Sequence, residues 1–163
     1  MTKPIVLFLL SVLLMGGCRP TTTSASKPIC QGGTSPDIMD YKTWTKVNPK
    51  PIKGHSKWVN IYVDDAAKDI YLSASGATFP VCARIVKTVL IDADSDTVTL
   101  LSVMIKMPPG YDPEHNDWYW GEYNKNGDVA GMTGAVQVCF ACHHGAAAAD
   151  YVFSQEVMEK SGK

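Results

Sequence analysis

Two cysteines and a histidine occur in a short, fixed pattern near the C-terminal end of the 163-residue chain. The segment that contains them is Cys139-Phe140-Ala141-Cys142-His143. Two thiols at this spacing can bond to the two vinyl groups on one edge of a porphyrin, and the histidine that follows can ligate the iron. The pattern therefore predicts one covalently attached haem c, with Cys139 and Cys142 as its anchors and His143 as the axial ligand of the iron.

Two other interpretations of these residues remain open, a zinc site and a redox-active cysteine pair. Zinc would need a second pair of ligands elsewhere in the chain, and His55 and His115 are isolated in the sequence. His144 cannot share the iron with His143, because adjacent helical residues point roughly 100° apart. We expect His144 to be a partly exposed side chain near the haem edge.

The N-terminal segment predicts export from the cytoplasm. Lys3 precedes an apolar run over residues 5–15. This run has the length found in signal peptides and is too short for a membrane span, which needs roughly 20 residues. Residues 1–17 are therefore assigned to a signal peptide. Export strengthens the haem hypothesis, because haem c is attached outside the cytoplasmic membrane.

The end of the signal peptide resembles a bacterial lipobox. Its last residues are Met15-Gly16-Gly17, and Cys18 follows them, so we predict that Cys18 is lipidated; plain secretion is the alternative. Arg19 is not the aspartate of an inner-membrane retention signal, which favours a periplasmic protein anchored in the outer membrane. The Thr/Ser-rich residues that follow predict a flexible tether over 18–35 and a folded domain over 36–163.

The two remaining cysteines, Cys30 and Cys82, have two interpretations. Outside the cytoplasm they can form a disulfide. This bond would close a loop of about 50 residues and stabilise the fold by about 2–4 kcal/mol. Two buried free thiols are the alternative.

Composition and charge exclude one class of partner. Apolar residues make up 45% of the chain and charged residues 19%, as in ordinary globular proteins. The formal net charge is −1, so the chain lacks the basic surface that a nucleic-acid partner requires.

The pattern of apolar residues predicts an α+β domain built on an antiparallel β-sheet with flanking helices. Aromatic and β-branched residues predict strands over Lys57–Val63, 83–91, 97–107 and 117–123. The polar segment 92–96 between the second and third strands predicts a hairpin. Helices are predicted over 36–47 (with Ser35 as N-cap), Asp65–Ser73 and 146–160. This pattern disfavours a four-helix bundle.

One lysine is unusual in the second strand. Lys87 shares a face with Ile85, Val89 and Ile91, because alternate residues of a strand point to the same side. An amine in an apolar pocket loses its proton readily and becomes a nucleophile. The alternative is a lysine that extends along the apolar surface to reach solvent.

Several short segments occur in a characteristic order from Tyr41 to the end of the chain. They are Tyr41-x-x-Trp44, Asn60-Ile61-Tyr62-Val63, Phe79-Pro80, Ile85-Val86-Lys87, Gly110-Tyr111-Asp112-Pro113, Asp117-Trp118-Tyr119, the haem motif and Asp150-Tyr151-Val152-Phe153. In this order they resemble the cytochrome P-460 family, which includes the cytochromes c′-beta. The resemblance implies an antiparallel sheet, a homodimer, a five-coordinate haem, and a covalent bond between Lys87 and the porphyrin. It also implies a distal side that binds NO or hydroxylamine and holds an acidic side chain for proton transfer.

The chain departs from the family pattern on the distal side. The acidic position falls near Ser102, and no carboxylate occurs between residues 97 and 107. Val59 stands where the family has an arginine. We therefore expect a pocket without a base, which suits gas binding better than oxidation.

Three hypotheses follow for the function. The first is a haem protein with an open distal iron site that binds NO or hydroxylamine, for gas binding or nitrogen-oxide detoxification. The second is a hydroxylamine-oxidising enzyme with a Lys87–haem cross-link that passes electrons to a soluble cytochrome. The third is a six-coordinate electron-transfer cytochrome with Met104 or Met132 as sixth ligand, although both methionines are also explained as core fillers.

Overall fold

The fold is an antiparallel sheet covered by short helices. The computed structural model describes residues 27–162, so the predicted signal peptide and Cys18 lie outside the described part of the chain. The described strands are β1 (Thr45–Lys46), β2 (Ile52–Gly54), β3 (Lys57–Val63), β4 (Arg84–Leu90), β5 (Val98–Lys106), β6 (Trp118–Tyr123) and β7 (Val129–Gly134). The described α-helices are α1 (Asp65–Ser73), α2 (Gln137–His143) and α3 (Ser154–Lys160). The predicted α+β fold is confirmed.

The sheet has the strand order β1-β3-β4-β5-β6-β7, and β2 pairs with β3 on the same side as β1. Every pair of strands is antiparallel. The predicted hairpin forms the centre of the sheet as β4 and β5. Its register places Lys87 opposite Ser102, and Ser102 lies opposite Glu122 of β6.

The two faces of the sheet bury different side chains, because successive residues of a strand point to opposite sides. One face and the helices form the helix-side core, which includes Ile61, Ile85, Met104, Trp120, Phe140 and Val157. The opposite face and the N-terminal residues form the N-terminal core, which includes Cys30, Ile38, Tyr41, Val86, Leu101 and Ile105. Lys87 and Ser102 alternate with residues of the N-terminal core and therefore belong to the helix side.

The helix α1 has the bounds that its sequence predicts. Asp64 is its N-cap, and the carboxylate of Asp64 accepts a hydrogen bond from the backbone N–H of Ala67 at 3.0 Å. The same carboxylate accepts a bond from Arg84 Nε at 2.8 Å. The cap therefore fixes the start of α1 and also joins the helix to β4.

The helix predicted over 36–47 is wrong. This region contains one 3-10 turn, Tyr41–Thr43, followed by β1. Ser35 Oγ accepts a cap-like bond from the backbone N–H of Asp37 at 3.1 Å, but Asp37 has a φ of 50° and cannot continue a helix. The carboxylate of Asp37 pairs with Arg84 at 2.7 Å, so a tertiary contact replaces the expected helix.

The single helix predicted over 146–160 is also wrong, because it is interrupted in its middle. A 3-10 helix spans His144–Ala149, and α3 begins only at Ser154. Between them Asp150 and Tyr151 have φ values of 54° and 63°. These left-handed residues stop the helix that the alanine-rich sequence favours.

A disulfide joins Cys30 to Cys82 with a Cα–Cα distance of 5.3 Å. Cys30 is buried in the N-terminal core and belongs to a 3-10 turn, Ile29–Gln31. Residues 27–35 were assigned to the flexible tether, but they are folded onto the sheet, so the ordered domain begins before residue 36. Within 27–162, none of the helices has the length and apolar character needed to span a membrane.

Candidate functional site

A cavity of about 920 Å³ lies between the helix-side face of the sheet and the helices. Its volume is at the upper end of the roughly 300–1,000 Å³ typical of ligand pockets. Strands β2 to β7 and all three α-helices contribute to its wall. The predicted site residues Cys139, Cys142, His143, Lys87 and Ser102 all line this cavity.

The helix α2 brings the two thiols and the imidazole to the cavity. Phe140 points into the helix-side core, and its ring stacks on that of His115 with ring centres 3.9 Å apart. This contact anchors the helix, so that Cys139 and Cys142 lie at the cavity wall. Neither cysteine is in a disulfide. Both thiols are therefore available to bond to one edge of a ligand.

The imidazole of His143 is held in one orientation. Its Nδ1 lies 2.7 Å from the carbonyl oxygen of Tyr151, and a carbonyl can only accept, so Nδ1 is the donor. The rings of Trp120 and Phe153 contact the imidazole, with centre-to-centre distances of 4.6 and 5.2 Å. Burial lowers the pKa of His143 to about 4. The imidazole is therefore neutral near pH 7, and Nε2 is left to bind a metal, as in haem and other metal sites.

The carbonyl that orients His143 is itself fixed by a buried ion pair. Lys106 Nζ lies 2.7 and 2.8 Å from the two carboxylate oxygens of Asp150, the residue before Tyr151. Trp118 Nε1 donates to the Asp150 carbonyl at 2.7 Å, and the backbone N–H of Phe79 donates to the carboxylate at 2.8 Å. These bonds hold the left-handed segment in place and so position the Tyr151 carbonyl.

The sheet wall of the cavity carries Lys87 and Ser102 in neighbouring strands. Lys87 Nζ donates to His55 Nδ1 at 3.0 Å. Burial lowers the pKa of Lys87, while the Cys139 and Cys142 thiols and Glu122 oppose this change. A lowered pKa makes the amine a better nucleophile than a solvent-exposed lysine.

The expectation of a pocket without a carboxylate is wrong. Glu122 of β6 lines the cavity and lies directly across from Ser102. A carboxylate therefore lies one strand away from Ser102, the position at which the family resemblance places the acidic side chain. The alternation of β6 could have indicated this, because Trp118, Trp120 and Glu122 share one face.

His55 is a second residue that the sequence analysis did not connect to the site. It lies in the turn between β2 and β3 and lines the cavity. Its ring centre is 6.0 Å from that of His143. The two histidines are 88 positions apart in the sequence, which gave no indication of this proximity.

Met104 and Met132, which the sequence analysis considered as iron ligands, both line the cavity. Met104 is a buried member of the helix-side core, as expected of a core filler, whereas Met132 lies half-exposed on β7. Val59, at the family's arginine position, is buried and also lines the cavity.

The geometry gives little support to the zinc and redox interpretations. Across residues 27–162, no group of three or more His, Cys, Asp and Glu side chains is placed to hold a metal ion. Burial raises the pKa of Cys139, whereas a redox-active pair depends on a cysteine with a lowered pKa.

One hydrogen-bond donor in the cavity wall suits a bound cofactor, because it has no partner among the described residues. Among the described residues that are not exposed, Trp120 Nε1 is the buried side-chain nitrogen or oxygen without a hydrogen-bond partner. Trp120 lines the cavity beside His143. Since buried donors are nearly always paired, this N–H suits a polar group of a molecule that fills the cavity. A haem has such groups in its propionates.

Comparison with known proteins agrees with this site. No curated protein matches the chain. The family model Cytochrome P460 matches residues 38–154, which include the strands of the central sheet, the two cavity-lining thiols and His143. The match covers most of the chain, and the family implies a haem cofactor. The chain therefore belongs to the cytochrome P460 family.

Proposed function

We propose that this protein is an exported cytochrome with one covalent haem c that binds NO or a related small nitrogen species. The observation that carries the proposal is the arrangement at α2, where two thiols and a neutral imidazole line one cavity. In this proposal Cys139 and Cys142 form the thioether bonds, and His143 ligates the iron through Nε2. The bound haem supplies an iron that binds small ligands and exchanges electrons.

The protein's own groups orient and enclose the cofactor. The Tyr151 carbonyl fixes the tautomer of His143, and Trp120 and Phe153 restrict the rotation of its ring. A hydrogen bond of this kind also makes an axial histidine more basic. Val59 and Met104 also line the cavity and would present apolar surface to a bound haem.

The test of cofactor attachment uses two adjacent histidines. Protein matured in a host that attaches haem c should give one haem per chain that stays bound after denaturation, as measured by the pyridine haemochrome spectrum. His143→Ala should change the ligand-field spectrum, whereas His144→Ala, at an exposed residue outside the cavity lining, should not. A colourless wild-type protein would refute the proposal.

Oxidation of hydroxylamine is the second candidate function, and Glu122 is the observation that favours it. A carboxylate in the cavity wall can accept the protons that leave hydroxylamine as it is oxidised. If this activity exists, Glu122→Gln should lower the rate of anaerobic hydroxylamine oxidation with an added electron acceptor by about 10²- to 10⁴-fold. Glu114→Gln is the matched control, because Glu114 is exposed and does not line the cavity. An unchanged rate in Glu122→Gln would exclude Glu122 as the base.

A covalent bond between Lys87 and the porphyrin is part of the proposal. Its support is the family membership together with a buried amine, with a lowered pKa, in the cavity wall. Such a cross-link should give a broad, red-shifted main haem band in the ferrous state that persists after denaturation. Lys87→Ala should then have the spectrum of an ordinary c-type haem. An identical spectrum in the two proteins would exclude the bond.

Export and membrane anchoring are also proposed, on the basis of the lipobox-like segment ending at Cys18. The expected location is the periplasmic side of the outer membrane, with a homodimer and a soluble cytochrome as electron partner. Labelled fatty acid should be incorporated into the wild-type protein and not into Cys18→Ser. Equal labelling of both proteins would show that Cys18 is not the lipidated residue.

A further inference from the structure

The hydrogen bond from His143 to the Tyr151 carbonyl depends on an unusual piece of backbone. Asp150 and Tyr151, the left-handed segment, have φ values of 54° and 63°. Left-handed backbone is uncommon for a residue with a side chain, and it is an outlier for one as bulky as tyrosine. Such conformations persist only where the surrounding structure fixes them, and they cluster at functional sites. The two residues are therefore held against their own conformational preference.

The left-handed segment makes the Tyr151 carbonyl available to the imidazole. In a continuous helix this carbonyl would accept a hydrogen bond from the backbone N–H of Gln155, four residues later. The left-handed segment directs it instead to His143 Nδ1, which donates at 2.7 Å. The interruption of the helix therefore supplies the acceptor that orients the proposed axial ligand.

The left-handed segment is held in place by bonds to Asp150. Lys106 Nζ lies 2.7 and 2.8 Å from the two carboxylate oxygens, and both side chains are buried. Trp118 Nε1 donates to the Asp150 carbonyl at 2.7 Å. Lys106, Asp150 and Trp118 do not line the cavity. These side chains can therefore act on a cofactor in the cavity only through the backbone that they hold or through their charge.

We propose that the bonds to Asp150 lower the reduction potential of the haem iron by aiming the Tyr151 carbonyl at His143. Lys106, Asp150 and Trp118 are thus positioning residues and not ligands. The inference rests on the proposed function, because it requires a haem held by His143. A hydrogen bond donated by an axial histidine makes the imidazole a more basic ligand. A more basic ligand stabilises ferric iron more than ferrous iron, because the ferric ion carries the higher charge.

The test requires variants that disturb the left-handed segment without changing the net charge. Asp150→Asn alone leaves the Lys106 ammonium unbalanced, and that positive charge would itself raise the potential. Lys106→Met combined with Asp150→Asn keeps the net charge, and Trp118→Phe removes the Nε1 donor while it keeps an aromatic ring. Spectroelectrochemistry of the haem-loaded proteins measures the potential. Resonance Raman spectroscopy of the ferrous proteins measures the Fe–His stretching frequency, which reports the strength of that bond directly.

Both variants should raise the potential and lower the Fe–His stretching frequency. Loss of a group that orients a metal ligand typically weakens metal binding by about 10- to 100-fold. If ferric iron loses about tenfold more of its affinity for the imidazole than ferrous iron does, the potential rises by about 59 mV. The shift should be larger in the double variant, because it removes the buried ion pair, than in Trp118→Phe.

Two controls separate positioning from a general loss of stability. Trp58→Phe is the same substitution at a tryptophan that packs against Lys53 and does not line the cavity. Replacement of Cys30 and Cys82 by serine removes a disulfide on the face of the sheet opposite the cavity. Both controls should keep the potential and the Fe–His stretching frequency of the wild type.

Two results would overturn the inference while leaving the proposed function intact. One is a pair of haem-loaded variants with the potential and the stretching frequency of the wild type, and the other is an equal shift in the controls. If the double variant fails to accumulate, Trp118→Phe decides. If neither accumulates, the wild type decides, because its Fe–His frequency must exceed that of a ferrous haem whose imidazole donates no hydrogen bond. A wild type without attached haem would instead contradict the proposed function.

Discussion

Replacement of Asp150 by asparagine should destabilise the protein strongly. The side chains of Lys106 and Asp150 are only 7% and 1% exposed, and their charged atoms are 2.7 Å apart. Asp150→Asn keeps a side chain that tolerates the left-handed backbone and can still accept a hydrogen bond from Phe79. It leaves the Lys106 ammonium buried without a counter-charge. Loss of one partner of a buried ion pair costs about 3–5 kcal/mol.

Urea denaturation of the haem-loaded protein measures this cost. With a denaturant slope of about 2 kcal/mol per molar urea, the midpoint should fall by roughly 2 M. Asp37→Asn is the matched control, because Asp37 pairs with Arg84 at the surface with its side chain 52% exposed. Loss of that pair should cost about 1 kcal/mol or less.

A double variant separates the loss of charge balance from general damage. Lys106→Met combined with Asp150→Asn removes both charges, so no charge is left buried without a counter-charge. The double variant should therefore recover more than half of the lost stability. The reasoning is refuted if Asp150→Asn costs no more than Asp37→Asn, or if the double variant is less stable than Asp150→Asn.

Three further predictions concern other parts of the molecule. Replacement of Cys30 and Cys82 by serine should lower the free energy of unfolding by about 2–5 kcal/mol, measured by urea denaturation without reductant; equal midpoints would contradict it. The next prediction concerns a haem-free variant that lacks both motif cysteines. In the folded protein burial lowers the pKa of His143 to about 4, so the unfolded state binds a proton more readily than the folded state. Stability should therefore fall by up to about 3 kcal/mol as the pH decreases from 6.5 to 4, and a flat profile of urea midpoints against pH would exclude this. In Gly131→Ala, the added Cβ would lie 2.1 Å from Glu122 Oε2, so the Glu122 carboxylate must move. Any hydroxylamine oxidation that depends on Glu122 should then decrease. A turnover rate equal to that of the wild type would show that the position of the Glu122 carboxylate is unimportant.

The sequence predicted the parts of the fold that depend on local patterns. The hairpin of β4 and β5 follows from two apolar runs around a polar turn, and α1 has the bounds Asp65–Ser73 that were predicted for it. The short strands β1, β2 and β7 were not predicted. Strand β7 is exposed along almost its whole length, so it lacks the alternation that marks a half-buried strand.

Long-range contacts explain the remaining errors. The helix predicted from residue 146 stops because Asp150 pairs with Lys106, 44 residues away. Glu122 and Ser102 meet through strand pairing, and His55 reaches His143 through the arrangement of the turn and α2. None of these distances is encoded in the spacing of residues along the chain. The haem motif was easier to identify because its chemistry requires neighbours in sequence.

The Cys30–Cys82 bond determines where a mechanical load from the N-terminal side enters the domain. Cys30 and Cys82 belong to the N-terminal core, on the face of the sheet opposite the cavity. Tension along the residues that precede Lys27 therefore passes through the disulfide into the segment before β4, and it bypasses α2. A chain tethered to a surface by its N-terminal end can be pulled without distorting the imidazole and thiols on the other side of the sheet.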